Sequence, residues 1–201
     1  MAKNLCNQLF FYRLKHLIQT QIDYIDLELA PLDEIYLNRI PWEGQRSILD
    51  CIEYTFSLSQ SYLSEIDCLQ WEGELNKSSF YKPSLAYRIR LINRKVHQWF
   101  CKKMGIKPKR SASYCFFLEK EKLFIHRAQQ QRLLQICARL ERLDLNANKV
   151  ERWRFRAINP TLGDALHYYS INMQAHYAYI LTIKKALDKE DYKHIKALKQ
   201  A

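Results

Sequence analysis

Histidine and cysteine are the residues of this 201-residue chain best suited to hold a metal ion or to act as nucleophiles. No two of the six histidines lie at the i, i+4 spacing that places two imidazoles on one helical turn. The six cysteines include no C-x-x-C pair, the spacing on which zinc sites usually depend. We therefore predict no metal site and no cofactor. These residues are His16, His97, His126, His167, His176, His194, Cys6, Cys51, Cys68, Cys101, Cys115 and Cys137.

Sequence motifs for catalysis are also missing. Neither glycine-rich phosphate-binding pattern, G-x-G-x-x-G or G-x-x-x-x-G-K, occurs, and G-x-S-x-G and H-E-x-x-H are absent. Neighbouring acids such as Asp33 and Glu34 lie in loop-like sequence, where capping and solvated charge are commoner roles than acid–base catalysis. His16 and His176 fall on apolar stripes, which indicates core histidines. We therefore expect a protein that is not an enzyme.

The N-terminal sequence and the cysteine pattern both bear on the compartment. The first 20 residues lack the compact apolar segment of a signal peptide, and no run of 18 apolar residues could form a membrane span. The scattered cysteines then indicate free and mostly buried thiols rather than disulfides. We expect a cytoplasmic protein without a transmembrane segment.

Composition and periodicity favour an all-α fold in a single domain over 1–201. Four glycines and five prolines are few, and apolar residues recur at helical spacing along most of the chain. In the first helix this spacing predicts that Leu5, Leu9, Tyr12 and His16 form the buried face. The predicted helices are 3–20, about 43–70, one that begins after Ser84 and stops near Gly105, about 127–144, and a long last helix capped by Thr161; these C-terminal helices cover 127–190.

Two segments are less regular. Pro31 and Pro41 bracket a short helical or irregular piece. The stretch 114–126 fits either two short strands around a charged turn or a helix, and we prefer the helix because no Gly or Asn supplies a tight turn. The tail 189–201 is expected to fray into solvent.

Charge is unevenly distributed. Residues 75–118 contain eleven Lys or Arg and no acid, while 1–74 carry 5 basic and 12 acidic residues. The chain therefore has an acidic first third, 1–74, and a basic helix and tail, 77–110, within a net charge of +11. Such a distribution can orient an encounter with a partner.

The basic helix has two faces in the sequence. We expect an apolar stripe to anchor it to the core, and four cations on another face to meet an acidic protein partner. The runner-up is nucleic-acid binding through the basic 88–110 stretch; a peripheral-membrane role ranks third, and a solvated cationic face without a partner also stays open. The stripe is Leu85, Ile89, Ile92, Val96 and Trp99, and the cations are Arg88, Arg94, Lys95 and Lys102.

The segment "PLDEIYLNRI" at 31–40 resembles a piece near the N-terminus of the type III secretion sorting-platform accessory family (SctK). In that family a Pro-hydrophobic pair precedes a hydrophobic position and then Arg-Leu or Asn-Arg-Leu. The matching positions here are Pro31, Leu32, Ile35, Asn38, Arg39 and Ile40.

The resemblance implies a mainly helical adaptor of the injectisome without catalytic residues. Such an adaptor joins the pod scaffold protein (SctQ-like) to the cytoplasmic domain of the inner-membrane ring protein (SctD-like), at the cytoplasmic face of the inner membrane. On this basis we predict that Pro31, Ile35, Arg39 and Ile40 belong to a partner-binding element.

Overall fold

The computed structural model describes residues 5–41, 46–75, 77–85, 87–89, 91–92, 117–150 and 160–198, and these residues are mainly helical. This confirms the all-α prediction. The helices are α1 (Asn7–Tyr24), a π-helical turn (Ile25–Leu29), α2 (Glu34–Asn38), α3 (Ile48–Glu72), α4 (Glu121–Leu140) and α5 (Leu162–Leu198). Two short strands, β1 (Leu5–Cys6) and β2 (Phe80–Tyr81), pair antiparallel.

Helix α1 buries a different face from the predicted one. Leu9 and Tyr12 are 41% and 68% exposed, and His16 is exposed too, so the prediction of that face was wrong. A neighbouring row with the same periodicity carries larger apolar side chains, and burying it removes more apolar surface from water. The buried row is Phe10, Phe11, Leu14, Ile18 and Ile22.

Helix α3 begins at Ile48 because Ser47 and Asp50 form a capping box. The Ser47 Oγ accepts a hydrogen bond from the Asp50 N–H at 3.0 Å, and the Asp50 carboxylate accepts one from the Ser47 N–H at 3.2 Å. The predicted start at 43 was therefore about five residues early. Its buried side chains include Ile48, Ile52, Ser59 and Ile66.

The last two helices are longer than predicted. α4 begins at Glu121, so 121–126 is helical, and the hairpin alternative is wrong for that part. Residues 117–120 are not helical, so the preferred helix is wrong there, and 114–116 lie outside the described residues. α5 starts after Thr161, whose Oγ1 accepts a hydrogen bond from the Asp164 N–H at 3.1 Å, as the predicted cap requires. It continues to Leu198, so the expectation that the tail frays from 189 was wrong for 189–198.

The four long helices form a bundle around one core. α1 and α5 run parallel, since Phe10 lies 6.3 Å from His167 and Tyr24 lies 6.2 Å from Tyr177, ring centre to ring centre. α3 and α4 run in the opposite direction, parallel to each other, as their ion pairs Glu53–Lys122 and Asp67–Arg132 show. The end of α3 and the start of α4 therefore lie at opposite ends of the bundle.

The segment that follows α3 forms a polar junction with the turn after α4 at one end of the bundle. The Asp144 carboxylate accepts hydrogen bonds from the N–H groups of Lys77, Asn146 and Ala147 at 2.8–3.1 Å. Asn148 bonds both the N–H and the carbonyl of Glu74. These bonds fix the segment after α3 to the turn after α4, because they satisfy backbone groups that no helix or sheet pairs.

Candidate functional site

The segment around α2 is held in place along both edges. Asp33 caps α2 by accepting a hydrogen bond from the Tyr36 N–H at 2.6 Å, and Leu37 is fully buried in the core. The Asn38 side chain donates to the Leu118 carbonyl at 2.8 Å and accepts from the Leu118 N–H at 3.0 Å. α2 is thus tied to the chain that enters α4.

The other edge of α2 is joined to the second half of α5. The Tyr36 hydroxyl donates to Asp188 Oδ1 at 2.5 Å, and burial together with this bond raises the Tyr36 pKa well above its ordinary value. Arg39 Nη1 lies 2.7 Å from Asp191 Oδ1, and Arg39 Nη2 lies 3.6 Å from Glu190 Oε2. These contacts place α2 as a short bridge across one end of the bundle.

Two large apolar side chains of this segment nevertheless point to solvent. Ile35 is 72% exposed and Ile40 is 38% exposed, and Pro31 is exposed as well. Arg39, the fourth residue predicted here, is engaged by α5 instead of being free for a partner. We call the exposed set, Pro31, Ile35 and Ile40, the α2 surface.

Sequence reasoning missed the contacts that hold the α2 surface in place. Asn38 and Leu118 are 80 positions apart, and Arg39 and Asp191 are 152 apart. No local periodicity or motif signals pairs at such separations. The only visible sign was the polar character of Asn38 and Arg39 inside the 31–40 motif.

The predicted basic surface is described only at its start. Arg88 is exposed, while Arg94, Lys95 and Lys102 lie outside the described residues, as do Val96 and Trp99. Leu85, Ile89 and Ile92, which we expected to anchor this helix to the core, are 74%, 50% and 59% exposed. That expectation was wrong because Tyr87, only 5% exposed, makes the contact with the core.

The buried titratable groups are engaged in packing. Asp164 is fully buried, and its Oδ1 accepts from the Tyr81 hydroxyl at 2.7 Å and from the Ser84 N–H at 3.2 Å. Burial raises the pKa of Tyr81 and the pKa of the Cys137 thiol, the latter to about 12, so neither is activated as an acid or nucleophile. Cys51 is also buried and forms no disulfide, as predicted.

The histidines do not converge on a common site within the described chain. His126 is completely buried beside Tyr177, at 6.4 Å between ring centres, and burial lowers its pKa to about 4. His176 is half-buried against Tyr54, and His16 is exposed, so only part of the predicted core role holds. Among the described residues no group of three or more His, Cys, Asp or Glu could hold a metal ion.

A groove of about 780 Å³ lies between α3 and α4. Phe56, Leu63 and Ala128 contribute apolar surface, and the Asp67–Arg132 ion pair lies at its edge. The Asp67 carboxylate is paired with the Arg132 guanidinium, and none of the described lining residues is a histidine or a cysteine. This lining provides surface for contact rather than a set of reacting groups.

Comparison with known proteins gives no match: no family model, no curated protein and no solved structure is similar to this chain. Among the described residues, no helix has the length and apolar character needed to cross a membrane.

Proposed function

We propose that this chain is a non-catalytic adaptor that binds another protein through the α2 surface. The observation that carries the proposal is the exposure of Ile35, 72%, on a segment whose backbone is fixed on two sides. Binding surfaces commonly present apolar side chains on preorganised backbone, because little conformational entropy is then lost on association. An Ile35 side chain that is so exposed contributes little to the stability of the fold.

The resemblance of 31–40 to the SctK family suggests the partners. On this reading the α2 surface binds the pod scaffold protein (SctQ-like) or the cytoplasmic domain of the inner-membrane ring protein (SctD-like). The adaptor would then act in a type III secretion sorting platform at the cytoplasmic face of the inner membrane. The exposed positions Ile35 and Ile40 belong to the matching motif, which is consistent with this proposal.

The test is a paired replacement, Ile35→Asp with Ile40→Asp, in the full chain. We expect at least tenfold weaker capture of one of these two partners in a pull-down, because a carboxylate in an apolar contact must lose its hydration. Thermal unfolding should change little, since both side chains are exposed. A matched control, Phe124→Asp with Leu181→Asp, changes two side chains that are 46% and 40% exposed on other helices.

Two results would overturn the proposal. One is equal capture by wild type, the Ile35/Ile40 variant and the control. The other is an equal loss of capture in the variant and in the control, which would mean that the loss is not specific to the α2 surface.

Nucleic-acid binding through the basic 88–110 stretch is the second candidate. The observation in its favour is that Arg88 is exposed and pairs with no carboxylate among the described residues. Phosphate attracts such cations without any sequence specificity, so the salt dependence of binding is the property that distinguishes this function.

A further inference from the structure

The helical segment at 85–92 contacts the rest of the protein through Tyr87. Ser84 begins the helix: its Oγ accepts a hydrogen bond from the Tyr87 N–H at 3.2 Å, and its carbonyl accepts one from the Arg88 N–H at 3.0 Å. The Tyr87 ring is buried, and its centre lies 5.6 Å from that of His167 on α5. One side of the segment is therefore fixed to the bundle.

The opposite side of the same segment carries three aliphatic residues. At about 100° per residue, Leu85, Ile89 and Ile92 lie within about 40° of the direction opposite Tyr87. Their exposed fractions are 74%, 50% and 59%. The anchoring side chain and the exposed stripe thus share one helix, and the way Tyr87 docks determines that the stripe faces outward. We call Leu85, Ile89 and Ile92 the aliphatic stripe.

Two cations lie next to the stripe in the sequence, Lys82 three positions before Leu85 and Arg88 directly before Ile89. Lys82 and Arg88 are exposed, and neither forms an ion pair with a carboxylate among the described residues. The sequence from 75 to 118 contains no acid at all. Any surface that covers the stripe must therefore accept an excess of positive charge.

We propose that the aliphatic stripe and its flanking cations bind the surface of a membrane that contains anionic lipid. A helix that lies in the membrane interface needs an apolar face that enters the acyl boundary and Lys or Arg beside it to meet lipid phosphate. A lipid surface fits better than a protein partner, because the centres of protein interfaces are depleted in lysine and in unpaired charge. This binding is independent of the α2 surface.

The experiment is flotation of the full chain with vesicles of two compositions, phosphatidylcholine alone and phosphatidylcholine with about 30% phosphatidylglycerol, a charge fraction chosen to give a strong surface potential. We expect binding to the anionic vesicles only, and weaker binding at about 0.5 M salt because the surface potential is screened. Replacing the stripe with glutamine, Leu85→Gln, Ile89→Gln and Ile92→Gln, should weaken binding at least tenfold. Lys82→Gln with Arg88→Gln should weaken it by about fivefold per charge removed.

Controls separate lipid binding from loss of fold. Phe124→Gln with Leu181→Gln removes two exposed apolar side chains elsewhere and should leave flotation unchanged. Ile92→Gln alone should weaken flotation measurably, which gives a second result if the triple variant unfolds. The Ile35/Ile40 aspartate variant should float like wild type, so failure here is distinguishable from failure of the adaptor proposal.

Three outcomes would overturn the proposal. The first is that wild type does not float with anionic vesicles at all. The second is that the stripe variants float as well as wild type, which would mean that charge alone causes the binding. Tight binding of an oligonucleotide or an acidic peptide that depends on the stripe, without vesicle binding, would assign the surface to that partner.

Discussion

At the scale of single residues, His126 is the clearest pH-sensitive group in the core. It is fully buried, and desolvation lowers its pKa to about 4 from the ordinary 6.5, while its contact with Gln129 acts in the opposite direction. The imidazole in the folded protein therefore takes up a proton less readily than that in the unfolded chain. Its contribution to stability is complete above about pH 6.5 and is lost as the pH falls toward 4.

We expect the free energy of unfolding to fall by about 3 kcal/mol from this group between pH 7 and pH 4, at 1.36 kcal/mol per pKa unit. His126→Leu should show a shallower dependence over that range, measured by urea unfolding followed by circular dichroism. His16→Leu changes an exposed histidine and should keep the wild-type slope. If His126→Leu and wild type lose stability in parallel, another group is responsible.

Gly163 shows why one small residue is needed at the start of α5. A Cβ at this position would lie 2.4 and 2.5 Å from two ring carbons of Tyr81, closer than side-chain atoms approach. The Tyr81 ring cannot move away freely, because its hydroxyl is bonded to buried Asp164. The glycine thus allows β2 to pack closely on the first turn of α5.

At the scale of elements, α2 is stabilised more by its hydrogen bonds to other segments than by its own length. Five residues are too few to form a stable helix alone, because the free-energy cost of nucleation exceeds the stabilisation from one turn of hydrogen bonds. The ion pair of Arg39 with Asp191 is about a third exposed and contributes little. The paired bonds between Asn38 and the Leu118 backbone are part-buried and directional, so they determine the position of α2 more strongly.

Replacing Asn38 with alanine should therefore loosen the chain that enters α4. Both bonds to Leu118 are lost, and we expect a decrease of about 1–2 kcal/mol in the free energy of unfolding. Hydrogen exchange of the Leu118 amide should become faster than in wild type. Arg39→Ala serves as the comparison and should leave the Leu118 amide protected; equal exchange in both variants would argue against this assignment.

The sequence predicted the type of most elements better than their faces and ends. Thr161 and Ser84 were recognisable caps because the cap side chain bonds a backbone group within three residues. The face of α1 was wrong because two adjacent rows, one through Leu9 and one through Phe10, have the same period, and the larger apolar side chains of the second row are the ones that pack into the core. The exposed stripe at 85–92 escaped prediction because the docking of Tyr87 depends on a contact with α5.

The candidate site was predictable only in part for the same reason. The 31–40 motif pointed to Ile35 and Ile40, and the structure shows both exposed. Whether Arg39 would face a partner or α5 depended on Asp191, which lies 152 positions later in the chain. The position of Asp191 near Arg39 becomes known only when the structure shows that α5 extends past the end of the bundle that α2 crosses.

At the scale of the whole molecule, charge and exposed apolar surface occur in two separate places. The α2 surface lies in the acidic first third, where residues 1–74 carry 12 acids and 5 bases, and the aliphatic stripe lies in the stretch without acids. Tyr36 is bonded to Asp188 late in α5, whereas Tyr87 contacts His167 near its start. Because these contacts lie near opposite parts of α5, the two surfaces belong to different ends of the bundle. If the two proposals hold, the two surfaces can bind a protein and a charged membrane at the same time.

The same charge distribution allows nucleic-acid binding to be tested separately. Arg88→Glu, Arg94→Glu, Lys95→Glu and Lys102→Glu together reverse four charges of the basic stretch. Arg88 is exposed, and helical spacing predicts that the other three share or border its face, so we expect this variant to lose at most about 1 kcal/mol of stability. Wild type should bind random RNA or DNA weakly, and the binding should disappear near about 0.15 M salt, measured by fluorescence anisotropy.

Tight binding at that salt concentration, lost in the four-residue variant, would favour nucleic acid as the partner of the basic stretch. The salt dependence decides this point because counterion release accounts for nonspecific phosphate binding, whereas insertion of the aliphatic stripe into lipid retains an apolar contribution that salt does not screen.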